Sequence, residues 1–168
     1  MTLRPPGLLA AAAAVALLWG ARLLLRDSDE TRIREACGAL AAAVEKTGAD
    51  EGALRTLSKR DDFVRLLDAT VRLDVRETGW SGTRPRAEVA DRFFAARQSA
   101  RTLRVRFDDL AVTVDPGGAS AGISCDASVA ADSPWGSGED VREVRARLVK
   151  KDGRWLFSSA TVVPIVRK

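Results

Sequence analysis

The stretch that decides the fold reads Val141-Arg-Glu-Val-Arg-Ala-Arg-Leu-Val-Lys-Lys151, then Asp152-Gly153, then Arg154-Trp-Leu-Phe-Ser-Ser-Ala-Thr-Val-Val-Pro-Ile-Val166. Two runs of strand-forming residues flank a two-residue linker. Asp-Gly accepts the positive φ angles of a type I′ turn, which joins adjacent antiparallel strands. The pattern therefore predicts a long β-hairpin in this part of the chain.

Composition excludes several classes of site. The 168 residues include 27 Lys and Arg against 23 Asp and Glu, and neither His nor Tyr occurs. Because acidic residues are mixed among the arginines, we expect no segregated basic face for a nucleic acid. The absence of His removes the Ser-His-Asp and Cys-His arrangements. With two cysteines and no His, we expect no metal site of the usual zinc kind and no other cofactor.

The segment 7–25 is the most apolar of the chain and contains a single charge, Arg22. A spanning helix needs roughly 20 apolar residues, a length that is reached here if Arg22 snorkels to the interface. Trp19-Gly20-Ala21 puts a bulky residue where a signal-peptidase site requires a small one, which favours an uncleaved anchor over a cleaved signal. We therefore predict a membrane anchor (or signal segment) over residues 1–26. The domain, residues 27–168, is expected on the outer, periplasmic or extracellular side.

The domain begins with apolar residues at helical spacing, which predict a first helix. They are Ile33, Cys37, Leu40 and Val44. Asp50 can cap a second helix, and Pro85 suits the first turn of a third. Between these helices Val71–Val75 alternates as a strand. Thr78–Thr83 is rich in glycine and is predicted to be a loop that holds Trp80.

The strand after the third helix is predicted to carry a bulge. Its apolar side chains alternate in one phase at 103, 105 and 107, and in the opposite phase at 110, 112 and 114. A one-residue change of phase indicates a bulge, here at Asp108-Asp109. Asp115–Gly118 then turns the chain, and pairing back across that turn puts Leu110 opposite Ile123.

The order helix, helix, strand, helix and then long antiparallel strands resembles the nuclear-transport-factor-like superfamily, also called SnoaL-like. The resemblance covers roughly Thr31–Lys168. Its most specific pieces are the hairpin Lys151-Asp-Gly-Arg-Trp155-Leu-Phe157 and the bulged strand. It implies an α+β, cystatin-like cone in which three or so helices pack on a curved, bulged antiparallel sheet. The superfamily holds enzymes, ligand binders and scaffolds, so the fold alone does not choose among them.

The enzymes of this superfamily are a poor match to the residues present. The resemblance to ketosteroid isomerase would imply an Asp base with a Tyr and a protonated Asp in an apolar cone. This chain has no Tyr, and neither catalytic aspartate matches a position in it. The residues therefore favour a role without catalysis.

Two polar residues of the last strand are candidates for a ligand pocket. If Trp155 and Phe157 face inward, strict alternation also turns Ser159 and Thr161 inward, where two hydroxyls could hold a ligand. The alternative is a second bulge near Ala160, which would leave both hydroxyls on the surface.

Two tryptophans are candidates for contact with a partner. Trp80 and Trp135 lie in Gly-rich segments, where each either contacts a partner or folds back over the cone.

Cys37 and Cys125 both lie on apolar faces, so they either pair in an oxidising compartment or remain buried thiols.

The leading expectation is a membrane-anchored, non-enzymatic interaction or assembly module of the bacterial cell envelope. Its layout resembles assembly factors of type IV secretion and accessory subunits of lipid-transport systems. Its partners would be the membrane, through residues 7–25, and another envelope protein. The alternative is a small-hydrophobic-ligand binder or SnoaL-type enzyme that uses the cone pocket. An open, polar-lined cone would favour the alternative. A cone filled by aromatic side chains would favour the assembly module; these are Phe93, Phe94, Phe107, Trp155 and Phe157.

Overall fold

The structure, a computed structural model, describes residues 29–75, 80–134 and 136–164. The described residues form three helices and six strands. The helices are α1, residues 29–44, α2, Ala53–Leu66, and α3, Arg86–Gln98. The strands are β1, Leu67–Val75; β2, Trp80–Pro85; β3, Thr102–Val114; β4, Ser120–Ser133; β5, Gly136–Lys151; and β6, Arg154–Pro164. This is the α+β arrangement of three helices and a sheet that the sequence predicts.

The six strands form one sheet in the order β2-β1-β6-β5-β4-β3. Every neighbouring pair is antiparallel except β1 and β6, which are parallel. The predicted antiparallel sheet therefore has one parallel junction. Each hairpin fixes the direction of its own two strands, but β1 and β6 are far apart in sequence. Their relative direction depends on how the two parts of the sheet pack together, which no local pattern encodes.

The predicted hairpin and the predicted bulge are both confirmed. Asp152 and Gly153 have φ angles of 50° and 73°, as a type I′ turn requires. In β3 the pairing passes from Asp108 opposite Asp126 to Ala111 opposite Ser124, which leaves two β3 residues facing one residue of β4. The first of the two, Asp109, has a φ of 53°, a left-handed conformation that Asp tolerates better than most residues.

The predicted register of β3 and β4 is wrong by two residues. Ile123 lies opposite Val112, not opposite Leu110. The connection has four residues between Asp115 and Ser120, closed by a hydrogen bond from the Asp115 amide to the Ser120 carbonyl of 2.9 Å. The prediction had assumed a two-residue turn. Because the shift is an even number, every side chain keeps its predicted face.

Trp80 begins an edge strand and does not lie in a loop. It pairs with Val75, and the rest of β2 continues this register as far as Pro85 opposite Thr70. A Gly-rich segment is typical of a loop, but pairing with β1 satisfies backbone groups that the local sequence leaves open. Gly82, with a φ of 114°, provides backbone geometry inside this strand that other residues rarely adopt.

The three helices pack on one face of the sheet, called the inner face below. The buried core contains apolar residues of the three helices, of β1, β4, β5 and β6, and of the end of β3. Its largest members are Ile33, Phe63, Leu67, Phe94, Ile123, Leu148, Trp155 and Phe157. In the described ranges, no helix is long and apolar enough to cross a membrane. The predicted anchor, residues 1–26, falls outside those ranges.

Candidate functional site at the mouth of the cone

The inner face becomes more exposed along the strands, from the β5–β6 turn towards the opposite end of the sheet. Near that turn Ala121 and Leu148, which pair across β4 and β5, are both 0% exposed. Farther along the same two strands, Val129 is half-buried and its partner Asp140 is exposed. Among the described residues the helices therefore close one end of the inner face and leave the other end accessible.

We call this accessible end the cone mouth. It is defined by inner-face side chains of β3, β4, β5 and β6: Val105, Phe107, Val129, Asp140, Arg142, Val144 and Val162. Five of the seven are apolar and half-buried. An apolar wall with a few polar groups is the usual composition of a small-molecule site.

An ion pair stands within the apolar wall of the cone mouth. Arg142 Nε donates to Asp140 Oδ2 at 2.7 Å, and the two side chains are 26% and 59% exposed. The residues are two apart in β5, so both project from the inner face. A guanidinium has five N–H donors in a planar fork, which suits it to carboxylates and phosphates.

This ion pair is not among the sites predicted from the sequence. Val144, Ala146 and Leu148 all face inward. Extending that alternation backwards along β5 would have placed Arg142 and Asp140 on the same face. The signal was therefore present, but charged residues in a strand are usually assigned to the solvent side.

A buried cation fixes the helices beside the cone mouth. Arg97 is 3% exposed. It donates to the carbonyls of Val44 at 2.9 Å and Glu45 at 2.6 Å, and to Glu51 Oε2 at 2.5 Å. Lys59 Nζ lies 3.1 Å from Glu51 Oε1. These contacts satisfy carbonyls at the end of α1 and hold the connection to α2 in place.

The same cluster sets the ionisation of its carboxylate. Burial alone would raise the pKa of Glu51, but the hydrogen bonds from Arg97 and Lys59 outweigh burial and lower it. Glu51 is therefore an ionised structural anchor near neutral pH, and it is poorly suited to donate a proton in catalysis.

The two cysteines are free and buried. Arg34, one turn before Cys37 on α1, donates to the carbonyl of Leu110 at 3.0 Å, and Leu110 lies in the bulge that faces Cys125. Burial raises the pKa of each thiol to about 11, and the charge of Cys125 adds to the effect at Cys37. Neutral thiols are weak nucleophiles, so neither cysteine is suited to attack a substrate near neutral pH.

Ser159 and Thr161 lie on the outer face of the sheet. Leu148 pairs with Phe157 and Arg147 pairs with Ser159, so Ser158 is an additional residue in β6. This second bulge reverses the alternation of side chains between the two faces of β6. It is the bulge that the alternative prediction placed near Ala160, found two residues earlier. Ser159 and Thr161 consequently neighbour Arg147 and Arg145, whose side chains are exposed. The predicted inward placement of the two hydroxyls is therefore wrong, and a role of either residue in binding a ligand stays a prediction.

The two candidate tryptophans differ in what the structure describes. Trp80 is half-buried, packs against the core, and has the guanidinium of Arg92 5.4 Å from its ring centroid. It pairs with Val75, which pairs with Val162 of the cone mouth, so it lies on the same side of the sheet. Trp135 lies outside the described residues. A partner contact through either residue stays a prediction.

Aromatic side chains fill the closed end of the cone, and one, Phe107, also lies at the mouth. Phe94, Trp155 and Phe157 are buried, whereas Phe93 and Phe107 are half-buried. Phe93 stacks on Phe63 with ring centroids 5.3 Å apart. The expectation of a cone filled by aromatic side chains therefore holds at the closed end, whereas the wall of the mouth is formed by half-buried side chains.

Within the described part of the chain, two cavities lie away from the cone mouth. One, of about 510 Å³, lies where the chain after α1 meets the ends of β3, β4 and β5, and its lining includes Lys46, Arg104, Asp132 and Ser137. Its charges are already engaged: Asp132 accepts from Ser137 Oγ at 2.6 Å, and Arg104 Nε lies 3.6 Å from Glu45. The other, of about 440 Å³, is a groove between α1 and α2. Neither combines an apolar wall with the inner-face ion pair described above.

Comparison with solved structures identifies the fold. A protein from Novosphingobium aromaticivorans assigned as a scytalone dehydratase superposes with a TM-score of 0.69, at 10% identity, over 89% of this chain and 99% of that chain. A nuclear-transport-factor-like protein with a cystatin-like fold from the same organism gives 0.65, at 16% identity, over 89% and 90%. A protein from Streptomyces avermitilis assigned as a dehydratase of the nuclear-transport-factor-like family gives 0.65, at 16% identity, over 84% and 99%.

These likenesses show that the chain has the nuclear-transport-factor-like, cystatin-like fold. No protein-family model matches the chain, and no curated protein matches it. At such low identities the shared fold does not carry an activity from those proteins to this one.

Proposed function

We propose that this protein is a small-molecule binder that takes an amphipathic, anionic ligand into its cone mouth. The observation that carries the proposal is the Asp140–Arg142 ion pair on the inner face, set among half-buried valines. The apolar wall would take the hydrocarbon part of the ligand, and Arg142 would bind its anionic group. Ligand binding at the inner face also agrees with the enzyme names of structurally similar proteins.

Binding is favoured over catalysis by the ionisable groups present. Both buried thiols have a pKa raised to about 11, and the pKa values of Glu51, Asp68 and Asp115 are all lowered. A general acid or base near neutral pH needs a pKa near the working pH. None of these five groups has moved in the direction that would supply one.

An amphipathic dye provides the test. Anilinonaphthalene sulfonate combines an aromatic body with one anionic group, and its fluorescence rises in an apolar site. We expect Arg142→Gln to weaken its binding by about tenfold or more, because a hydrogen bond to a charged group contributes about 1.5–3 kcal/mol. Val129→Phe should also weaken binding by narrowing the mouth.

Arg145→Gln is the matched control. Arg145 is in the same strand and also pairs with a carboxylate two residues earlier, Glu143, at 2.6 Å, but it lies on the outer face. Binding should be unchanged in this variant. Equal weakening by Arg142→Gln and Arg145→Gln would show that the dye senses overall charge and would overturn the proposal.

We also propose, from the sequence, that residues 7–25 anchor the domain to the outer side of a membrane. The single charge in this apolar segment supports it. Extraction of membranes at alkaline pH is the test, because it releases peripheral proteins and retains spanning ones. Release of the full chain would contradict the anchor without affecting the ligand proposal.

A role as an assembly module remains a second candidate because of one exposed surface. Leu54 and Leu57, on one side of α2, are 85% and 55% exposed. Large apolar side chains at the surface can mark a protein contact. If they do, Leu54→Ser with Leu57→Ser should abolish a defined crosslink to one envelope protein, whereas Arg55→Ser, at an exposed position that faces away from both leucines, should preserve it.

A further inference from the structure

The start of α1 is bound to the β5–β6 turn. Asp29 Oδ1 accepts hydrogen bonds from Lys150 Nζ at 2.7 Å and from Trp155 Nε1 at 3.2 Å, and the side chain is 8% exposed. The ammonium of Lys150 also lies 5.5 Å from the centroid of the Trp155 ring. The chain therefore enters the domain at this turn. We call this part of the molecule the basal end, formed by residues 29–32, 150–154, Asp68 and Arg86.

Most charges of the basal end neutralise one another. Lys150 pairs with Asp29, Lys151 pairs with Asp68 at 2.6 Å, and Glu30 pairs with Arg34 at 2.7 Å. Three exposed arginines form no ion pair with any described residue; they are Arg32, Arg86 and Arg154. The basal end has one exposed carboxylate of opposite charge, that of Asp152. The basal end is thus left with an excess of positive charge.

Arg86 belongs to this end by position and by its electrostatic effect. The hydrogen bond from Lys151 lowers the pKa of Asp68, and the charge of Arg86 acts in the same direction. Arg154 follows the β5–β6 turn opposite Lys151. Arg32 lies in the first turn of α1, next to Asp29. Arg32 and Arg154 therefore lie on the two elements that meet where the chain enters, and Arg86 lies within electrostatic reach of Asp68, the partner of Lys151.

The link to the predicted anchor is short. Residues 26–28 separate the apolar segment from Asp29, so even a fully extended link places Asp29 within about 14 Å of Leu25. The polar layer on each side of a bilayer takes up about 5–8 Å of that distance. Asp29, where the basal end begins, then lies within about one Debye length, 8–10 Å, of the lipid headgroups.

We propose that the basal end docks on the surface of an anionic lipid bilayer, with Arg32, Arg86 and Arg154 facing the headgroups. The inference rests on the proposed anchor and is independent of the ligand. Docking would orient the α1–β5–β6 end towards the membrane. The start of α2, reached after the 16 residues of α1, would lie at the far side.

The test uses the full chain in lipid nanodiscs with an environment-sensitive fluorophore on one added cysteine. Ala119→Cys labels the basal end, because Ala119 is exposed and its carbonyl accepts from the Lys150 amide at 2.8 Å. Ala53→Cys, also exposed, labels the start of α2. The native cysteines are buried, and the chain without an added cysteine measures any labelling of them.

We expect the emission of the label at 119 to shift to shorter wavelength in phosphatidylglycerol discs relative to phosphatidylcholine discs. High salt should abolish the shift, and the label at 53 should show none. Replacing the three basal arginines by glutamine should also abolish it. A control chain loses the same charge outside the basal end, through Arg55→Gln, Arg101→Gln and Arg106→Gln. In this control the emission shift of the label at 119 should be preserved.

The possible outcomes distinguish docking from the membrane anchor, on which it depends, and from ligand binding, on which it does not. Identical emission at 119 in both kinds of disc, with the chain incorporated, overturns docking and leaves the anchor intact. Failure of the chain to incorporate into either disc overturns the anchor, and docking with it. Dye binding at the cone mouth is measured separately and is unaffected by either result.

Discussion

Substituting Glu51 by leucine tests the view that its buried ion pair with Arg97 secures the helices beside the cone mouth. The side chains of Glu51 and Arg97 are each 2% exposed, and Arg97 Nη2 lies 2.5 Å from Glu51 Oε2. The substitution would leave a buried guanidinium without its anion. Removing one partner of a buried pair costs about 3–5 kcal/mol. Arg97 keeps two carbonyl acceptors, so we expect the lower limit, about 3 kcal/mol.

Urea unfolding followed by tryptophan fluorescence measures this cost. With a slope of about 2 kcal/mol/M, a loss of 3 kcal/mol lowers the unfolding midpoint by about 1.5 M. Asp50→Asn is the control, because Asp50 is the exposed neighbour of Glu51, and because Gly52, not Asp50 as predicted, is the N-cap of α2. Its midpoint should change by about 0.25 M or less, as is usual for a surface substitution.

The double variant with Arg97→Met and Glu51→Leu decides whether the charge is the cause. Removing both charges removes the unpaired guanidinium, so the double variant should be more stable than Glu51→Leu alone. If Glu51→Leu lowers the midpoint by less than about 0.5 M, or if the two losses simply add, the pair does not secure the helices as argued.

Three further predictions follow from pKa values and backbone conformation. Because the pKa of Glu51 is lower in the folded chain than its ordinary value of 4.5, its ionisation stabilises the fold above pH 4.5, and this stabilisation is lost as the pH falls through the folded-state pKa. In Glu51→Gln the urea midpoint should therefore depend less on pH in this acidic range. Because burial raises the pKa of Cys37 and Cys125 to about 11, iodoacetamide at mildly alkaline pH should add no mass to the folded chain and two adducts in urea. Earlier alkylation would contradict their burial. Gly153→Ala should cost about 1–2 kcal/mol, because the φ of 73° is unfavourable for alanine, whereas Gly138→Ala, with no such constraint, should leave the melting temperature nearly unchanged.

The sequence alone determined features that depend on local physical chemistry. Asp152-Gly153 specifies its turn because few other pairs accept two positive φ angles. The change of apolar phase across Asp108 and Asp109 specifies a bulge, since side chains on a strand alternate with a period of two. The faces of β3 and β4 were likewise correct, despite the error of two residues in their register.

Only the tertiary structure decided the features that depend on contacts distant in sequence. The parallel pairing of β1 with β6, and the recruitment of Trp80 into an edge strand, satisfy backbone groups that the local sequence leaves open. The bulge at Ser158, which places Ser159 and Thr161 on the outer face, appears only in the pairing with β5.

The cone mouth shows the same division. Alternation along β5 fixes the face on which Arg142 and Asp140 lie. Whether that face is covered depends on where the three helices end, and their ends are set by packing and by the buried Arg97 cluster. The sequence thus determined which side chains face inward, whereas the tertiary structure determined which of them remain accessible to a ligand.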